Sequence, residues 1–130
     1  MLADGRWNRL GTPVVYCSDH PATALLEILA RLDRADVPSS FRLLAIAIPD
    51  DAPSVSLTAD KLPDNWRADI STTRTTGTDL LRRAEALTIR VPSVLVPYAW
   101  NVLLNPQHAD AVRCSVVETI ESAFDPRLTG

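Results

Sequence analysis

Gly5-Arg6-Trp7-Asn8, then Gly11-Thr12-Pro13-Val14-Val15-Tyr16-Cys17-Ser18, then Ala22-Thr23-Ala24-Leu25-Leu26-Glu27 make up the stretch whose reading decides the fold. A charged segment leads into a β-branched and aromatic run, and that run into an apolar helix carrying a carboxylate. Turn residues ahead of Val-Val-Tyr-Cys predict a short, largely buried strand over Thr12 to Ser18. Ser18 or Asp19 supplies a helix cap, and Pro21 suits the first helical turn, where no amide donor is required. From Ala22 to Leu32 the positions Leu25, Leu26, Ile28, Leu29 and Leu32 span a broad apolar face, which predicts a helix packed on a sheet. Glu27 lies on or beside that face. A lone carboxylate there is costly, so it requires either a partner or an open cleft.

Outward from this stretch, Phe41 to Ile48 reads Phe-Arg-Leu-Leu-Ala-Ile-Ala-Ile and ends at Pro49-Asp50-Asp51, which predicts a central strand. Asp50 to Ser71 is a long excursion with one short strand around Val55 to Leu57, the kind of loop that often rims a site. Capping residues ahead of good helix formers predict a second helix over Thr75 to Leu87. Thr88 to Val96 is extended and broken by Pro92, implying a bulge or two edge-like strands. Trp100 to Leu104 and Arg113 to Thr119 read as strands, with Asn105 turned away from helix by Pro106. The tail, Phe124 to Gly130, reads as a turn plus an edge segment. Strands in this number around two main helices predict a single compact α+β domain with a mixed β-sheet core over residues 1–130.

Composition bounds the function. A chain of 130 residues with 46% apolar and 22% charged residues is one globular domain. No apolar run approaches the roughly 20 residues that span a bilayer, and the first residues lack a basic region followed by an apolar one, so a cytoplasmic protein is expected. A net charge of −3 argues against direct nucleic-acid binding, which needs a basic face. It leaves room for a small anionic ligand, since one or two arginines hold a phosphate. Cys17 and Cys114 are far apart in sequence and have no histidine at ligand spacing, so they read as buried free thiols and no metal site is expected.

The candidate chemistry is confined to a few side chains. Arg6 is either a phosphate clamp or a surface arginine. Tyr16, at a strand end, is either core or part of a site. Glu27 is the strongest candidate, although an ion pair with an arginine would explain it equally well. Ser93, in Val91-Pro92-Ser93-Val94, lacks the Gly-x-Ser-x-Gly of a nucleophile elbow. A Ser-His-Asp triad can be drawn through His108, as it can in almost any chain of this size. Asn101 and Asn105 are turn caps or polar site members. Neither Gly-x-Gly-x-x-Gly nor a Walker loop is present.

Taken in order, Gly5-Arg6-Trp7-Asn8, the Val14-Val15-Tyr16 strand, Leu25-Leu26-Glu27, Leu62-Pro63-Asp64-Asn65-Trp66, Val91-Pro92-Ser93 and Asn101-Val102-Leu103-Leu104-Asn105-Pro106 resemble the RES-domain family. These are toxins of bacterial toxin–antitoxin pairs with a fold similar to ADP-ribosyltransferases. The resemblance places the family's Arg, Glu and Ser on Arg6, Glu27 and Ser93. It implies that NAD+ is the substrate, with inorganic phosphate or water as co-substrate, and that Arg6, Glu27 and Ser93 are catalytic. Arg6, Tyr16, Ser93 and Asn101 would bind the dinucleotide. Cleavage of the nicotinamide–ribose bond passes through an oxocarbenium-like state, which a carboxylate at the ribose stabilises. The partner implied is an Xre-type helix-turn-helix antitoxin, with a homodimer or a larger toxin–antitoxin assembly. Two alternatives are ADP-ribosyl transfer to a protein and a non-catalytic domain that only binds the antitoxin. Members of the family usually carry a further strand and arginine ahead of Gly-Arg-Trp-Asn, whereas here the motif begins at Gly5; either the start is set too far downstream or the pocket lacks an edge, and the second reading is the support for the last alternative.

Overall fold

The computed structural model of the chain describes residues 5–129. Its strands and helices, in order, are β1 (Val15–Ser18), α1 (Pro21–Ala30), β2 (Ser40–Ala47), β3 (Ser54–Ser56), α2 (Ile70–Arg83), β4 (Thr88–Pro92), β5 (Trp100–Leu104), β6 (Ser115–Ala123) and α3 (Pro126–Thr129). One sheet has the order β1-β5-β4-β3, with β3 and β4 parallel and the other neighbours antiparallel. β2 and β6 pair antiparallel in a separate ribbon. This is an α+β domain with a mixed sheet and two substantial helices. No helix among the described residues is long and apolar enough to cross a membrane.

The core forms where α2 and the Gly5–Asn8 segment meet one face of the sheet. Ile89, Val91 and Leu103 from adjacent strands join Trp7, Trp66 and Leu81 in it, all nearly or wholly buried. Helix α2 runs over Ile70–Arg83, whereas the sequence predicts Thr75 to Leu87. Its first turns are rich in threonine, a weak helix former, and tertiary contacts override that weakness. Thr73, Gly77 and Leu81, spaced four apart on one face, are buried. The Thr73 hydroxyl donates to the Arg6 carbonyl at 2.7 Å, and Thr78 Oγ1 accepts from the Arg9 amide at 2.9 Å. Asp69 caps the helix by accepting from the Thr72 amide at 3.1 Å, and Ala84 ends it in the left-handed conformation at φ 52°. Ala86 and Leu87 are thereby released from helix and buried ahead of β4.

Several other expectations are corrected. Strand β1 covers only Val15–Ser18, and α1 is capped by neither Ser18 nor Asp19 but by His20, whose Nδ1 accepts from the Ala22 amide at 3.1 Å. Among the described residues of α1 only Thr23 is fully buried, and Leu26 is exposed. β2, read as central, lies in the ribbon instead, with Leu44 exposed and its partner β6 exposed along its whole length. A continuous apolar run signals an extended segment, not which sheet it joins. β4 is an interior strand running through Pro92, not a pair of edge strands. The proline is tolerated because β3 pairs no further than Ser56 with Arg90, so no ladder bond to β3 is lost at Pro92. After Phe124, which packs on Phe41 with ring centroids 5.0 Å apart, the tail turns into the short α3 and not an edge segment. Gly130 lies outside the described residues. Cys17 and Cys114 are free and half-buried, and burial pushes the Cys17 thiol above its ordinary value.

Candidate functional site

Alternation along β1 sends Tyr16 and Ser18 to the same side of the sheet, and helical spacing places Glu27 and Arg31 one turn apart on the same side of α1. These two spacings build the site. Ser18 pairs with Asn101 across the β1–β5 ladder, and its hydroxyl lies 2.9 Å from Asn101 Oδ1. Asn101 Nδ2 in turn donates to Glu27 Oε1 at 2.8 Å, and Ser93 Oγ donates to the same oxygen at 3.2 Å. Ser93 is 1% exposed and its Oγ also accepts from the Leu95 and Val96 amides, both at 3.1 Å. One donor and two acceptor sites are all a hydroxyl has, so Ser93 is fully engaged.

Glu27 Oε2 has no hydrogen-bond partner among the described residues and is not sealed from solvent. No cation among those residues lies within ion-pairing distance of Glu27. Arg31, at the i+4 position where a pair would form, sits instead over the Tyr16 ring, 5.5 Å from its centroid. Among the described residues, therefore, nothing supplies the ion-pair explanation of Glu27. Neutral donors hold one oxygen of the carboxylate and leave the other open.

The second cluster surrounds Tyr16. Its hydroxyl donates to Asn8 Oδ1 at 2.6 Å and accepts from the Trp7 amide at 3.0 Å. A Cβ on Gly5 would stand 2.3 Å from that hydroxyl, so only glycine lets the chain pass this close. Burial raises the Tyr16 pKa, opposed by the Trp7 hydrogen bond and by the charges of Arg31 and Arg74. Arg74 Nε donates to the Gly5 carbonyl at 2.8 Å. Arg6 Nη2 donates to the carbonyls of Trp66 and Arg67 at 2.7 and 2.5 Å, while its buried Nε has no partner among the described residues. Loss of water lowers the Arg6 pKa, the like charge of Arg74 adds to this, and Asp69 opposes it. The charges of Arg31 and Arg74 thus act on one phenol and that of Arg74 on Arg6, and none of the three guanidinium groups has a carboxylate within 4 Å among the described residues. Such a group favours an anion.

The structure brings Glu27, Ser93 and Asn101 into direct contact and links Tyr16 to them through β1 and α1. Arg6 makes none of its hydrogen bonds to Glu27, Ser93 or Asn101 and is tied instead to Trp66 and Arg67. Asn105 is not part of the site: it is wholly buried and donates to the Leu81 carbonyl at 2.9 Å. Sequence reasoning passed over Ser18, Asn8, Arg31 and Arg74. The i+4 spacing from Glu27 could have pointed to Arg31, the i+2 spacing from Tyr16 to Ser18, and the Gly5-Arg6-Trp7-Asn8 motif to Asn8; nothing local marks Arg74. His108 serves as a turn cap, its Nδ1 accepting from the Asp110 amide at 3.0 Å.

Residues 1–125 match the RES domain. The protein named Toxin Res from Pseudomonas putida is 41% identical over 130 residues, an alignment covering 98% of this chain and 88% of that protein. A Toxin Res from Yersinia enterocolitica is 39% identical over 127 residues, covering 95% of this chain and 83% of the relative. A protein from a Sphingobium species named Prs ADP-ribosylating toxin is 30% identical over 131 residues, covering 98% and 81%. With a domain match over nearly its whole length and relatives at these identities, the chain belongs to the RES domain family.

Proposed function

We propose that this chain is the toxin of a toxin–antitoxin pair and that it consumes NAD+ by cleaving the nicotinamide–ribose bond. The observation that carries this reading is the Glu27 carboxylate, fixed through Oε1 by Ser93 and Asn101, and, among the described residues, unpaired with any cation and open at Oε2. Glu27 stands at the ribose and stabilises the positive charge that develops as nicotinamide leaves. Ser93 and Asn101 hold Glu27 in place. Tyr16 packs beside the dinucleotide, and Arg6, with Arg31 and Arg74, supplies the positive field for its diphosphate or for a phosphate co-substrate. The site acts in the cytoplasm. An Xre-type helix-turn-helix antitoxin covers it in the resting complex, in which the toxin is a homodimer or part of a larger assembly.

Purified protein is incubated with NAD+ with and without phosphate, and the products are separated by chromatography. Phosphate-dependent loss giving ADP-ribose-1-phosphate identifies a phosphorylase, and loss without phosphate a hydrolase. Glu27→Gln keeps the shape and, through its amide oxygen, the hydrogen bonds accepted from Ser93 and Asn101 while removing the charge, and is expected to lower turnover by about a hundredfold. Near-normal turnover in that variant would remove Glu27 from the mechanism. The printed name of the Sphingobium relative favours a second reading, transfer of ADP-ribose to a protein. ADP-ribose covalently attached to a target, without free product in matching amount, would select it.

A further inference from the structure

Beside the Glu27 network lies a cavity of about 580 Å³ whose wall includes Trp66, Arg67, Pro92, Leu95, Tyr98 and Trp100. Among the described residues neither Glu27 nor any other carboxylate lines it, and Arg67 is its single charged side chain. Arginines pack on the rings of its aromatic wall. Trp66 is 4% exposed and fixed in the core, the Arg67 guanidinium lies 4.8 Å from the Trp66 ring centroid, and Arg90 lies 4.8 Å from that of Trp100. Flat rings, prolines and one cation suit a heteroaromatic ring that carries a phosphate.

The rim holds the more telling feature. The Ala99 amide donates to the Val96 carbonyl at 3.2 Å across Pro97 and Tyr98, with Tyr98 at φ 67°. This is the pattern of a type II turn, in which proline fits the second position and glycine or asparagine the third. Here the third position carries a tyrosine whose side chain is fully exposed at the mouth of the cavity. The turn is pinned at its base, where the Ser93 amide donates to the Ala99 carbonyl at 3.0 Å and Ser93 Oγ takes the Leu95 and Val96 amides. A non-glycine residue held firmly in the left-handed region carries strain of the kind that collects at ligand clamps.

We propose that this cavity is the ring-binding subsite for a nucleotide and that Tyr98 closes over the bound heteroaromatic ring. Identifying that nucleotide as one end of NAD+ rests on the function proposed above. Ser93 stands between the two parts of the site, lining the cavity and hydrogen-bonding Glu27, so a ring bound here lies one side chain away from the carboxylate. Adenine and nicotinamide share the chemistry, and the test separates them.

Two titrations of the full chain, one with AMP and one with nicotinamide mononucleotide, are read by tryptophan fluorescence, since Trp66 and Trp100 line the cavity. One of the two nucleotides is expected to quench saturably, with the quench reduced in Trp100→Phe. Tyr98→Gly, which the turn geometry favours and whose folding is checked by circular dichroism, is expected to weaken that binding about tenfold, while Tyr98→Phe retains it. No saturable quench by either nucleotide, or equal affinity in the wild type and Tyr98→Gly, would overturn the subsite. If NAD+ is consumed while neither nucleotide binds, the function stands and the subsite falls. If one nucleotide binds through Tyr98 but NAD+ is not consumed, the subsite stands and the function falls.

Discussion

Tyr16 shows how much one side chain holds together at this site. Its hydroxyl joins the Trp7 amide to the Asn8 side chain, and its ring underlies Arg31. Tyr16→Phe leaves the Trp7 amide and Asn8 Oδ1 without that partner, and is expected to lower unfolding stability by about 1–3 kcal/mol in denaturant titration. It also changes the alkaline limb. The folded Tyr16 pKa is raised above 10.0, chiefly by burial, so the neutral phenol is the form that folding favours. Its contribution is complete below the unfolded value and is lost as pH rises through the folded one. The Tyr16→Phe variant should therefore lose less stability than the wild type in that alkaline window, as thermal midpoints measured across it would show. Glu27 illustrates the same scale differently. Its identity was legible in the sequence, but its freedom from an ion pair was not, because Arg31 stands at the right spacing and is drawn off by Tyr16.

Helix α2 is the element that seats the Gly5–Asn8 segment. Thr73, Arg74 and Thr78 bond its backbone and that of Arg9, and Gly77 lets the two chains touch. A Cβ at position 77 would stand 1.9 Å from the Trp7 carbonyl oxygen and 2.9 Å from the Trp7 Cβ. Backbone cannot yield as a flexible side chain can. Gly77→Ala is therefore expected to cost about 3 kcal/mol, at the upper end of overpacking, despite alanine's better helix propensity. Denaturant titration gives the stability. Because Arg6 is carried on the displaced segment, the NAD+ turnover proposed above should fall with it. A stabilised Gly77→Ala protein would mean that α2 does not sit against Trp7. The sequence does show the periodicity of Thr73, Gly77 and Leu81, but the threonines around it argue against helix, and only the Trp7 contact explains why glycine stands there.

At the scale of the whole molecule, stability is unevenly distributed. The four-stranded sheet shares its buried face with α2 and the two core tryptophans, whereas the β2–β6 ribbon has Val116, Val117 and Ile120 exposed. An isolated pair of strands is marginally stable in water. Hydrogen exchange read by mass spectrometry should accordingly show β2 and β6 amides of the free protein exchanging well before those of β4 and β5. Equal protection would mean that the ribbon and the sheet open as one unit. The sequence by itself determined the α+β class, the strand at Trp100 to Leu104, the helix entry at Pro21, and the side chains able to do chemistry. These follow from local backbone preference and from the periodicity of apolar residues, which neighbouring positions set. Only the tertiary structure decided that β2 leaves the main sheet, that α2 begins at Ile70, that Ser93 and Asn101 hold Glu27, and that Arg6 turns toward Trp66 and Arg67. Each of these depends on contacts between residues distant in the chain, where the energy of burial and of satisfying polar groups outweighs local preference.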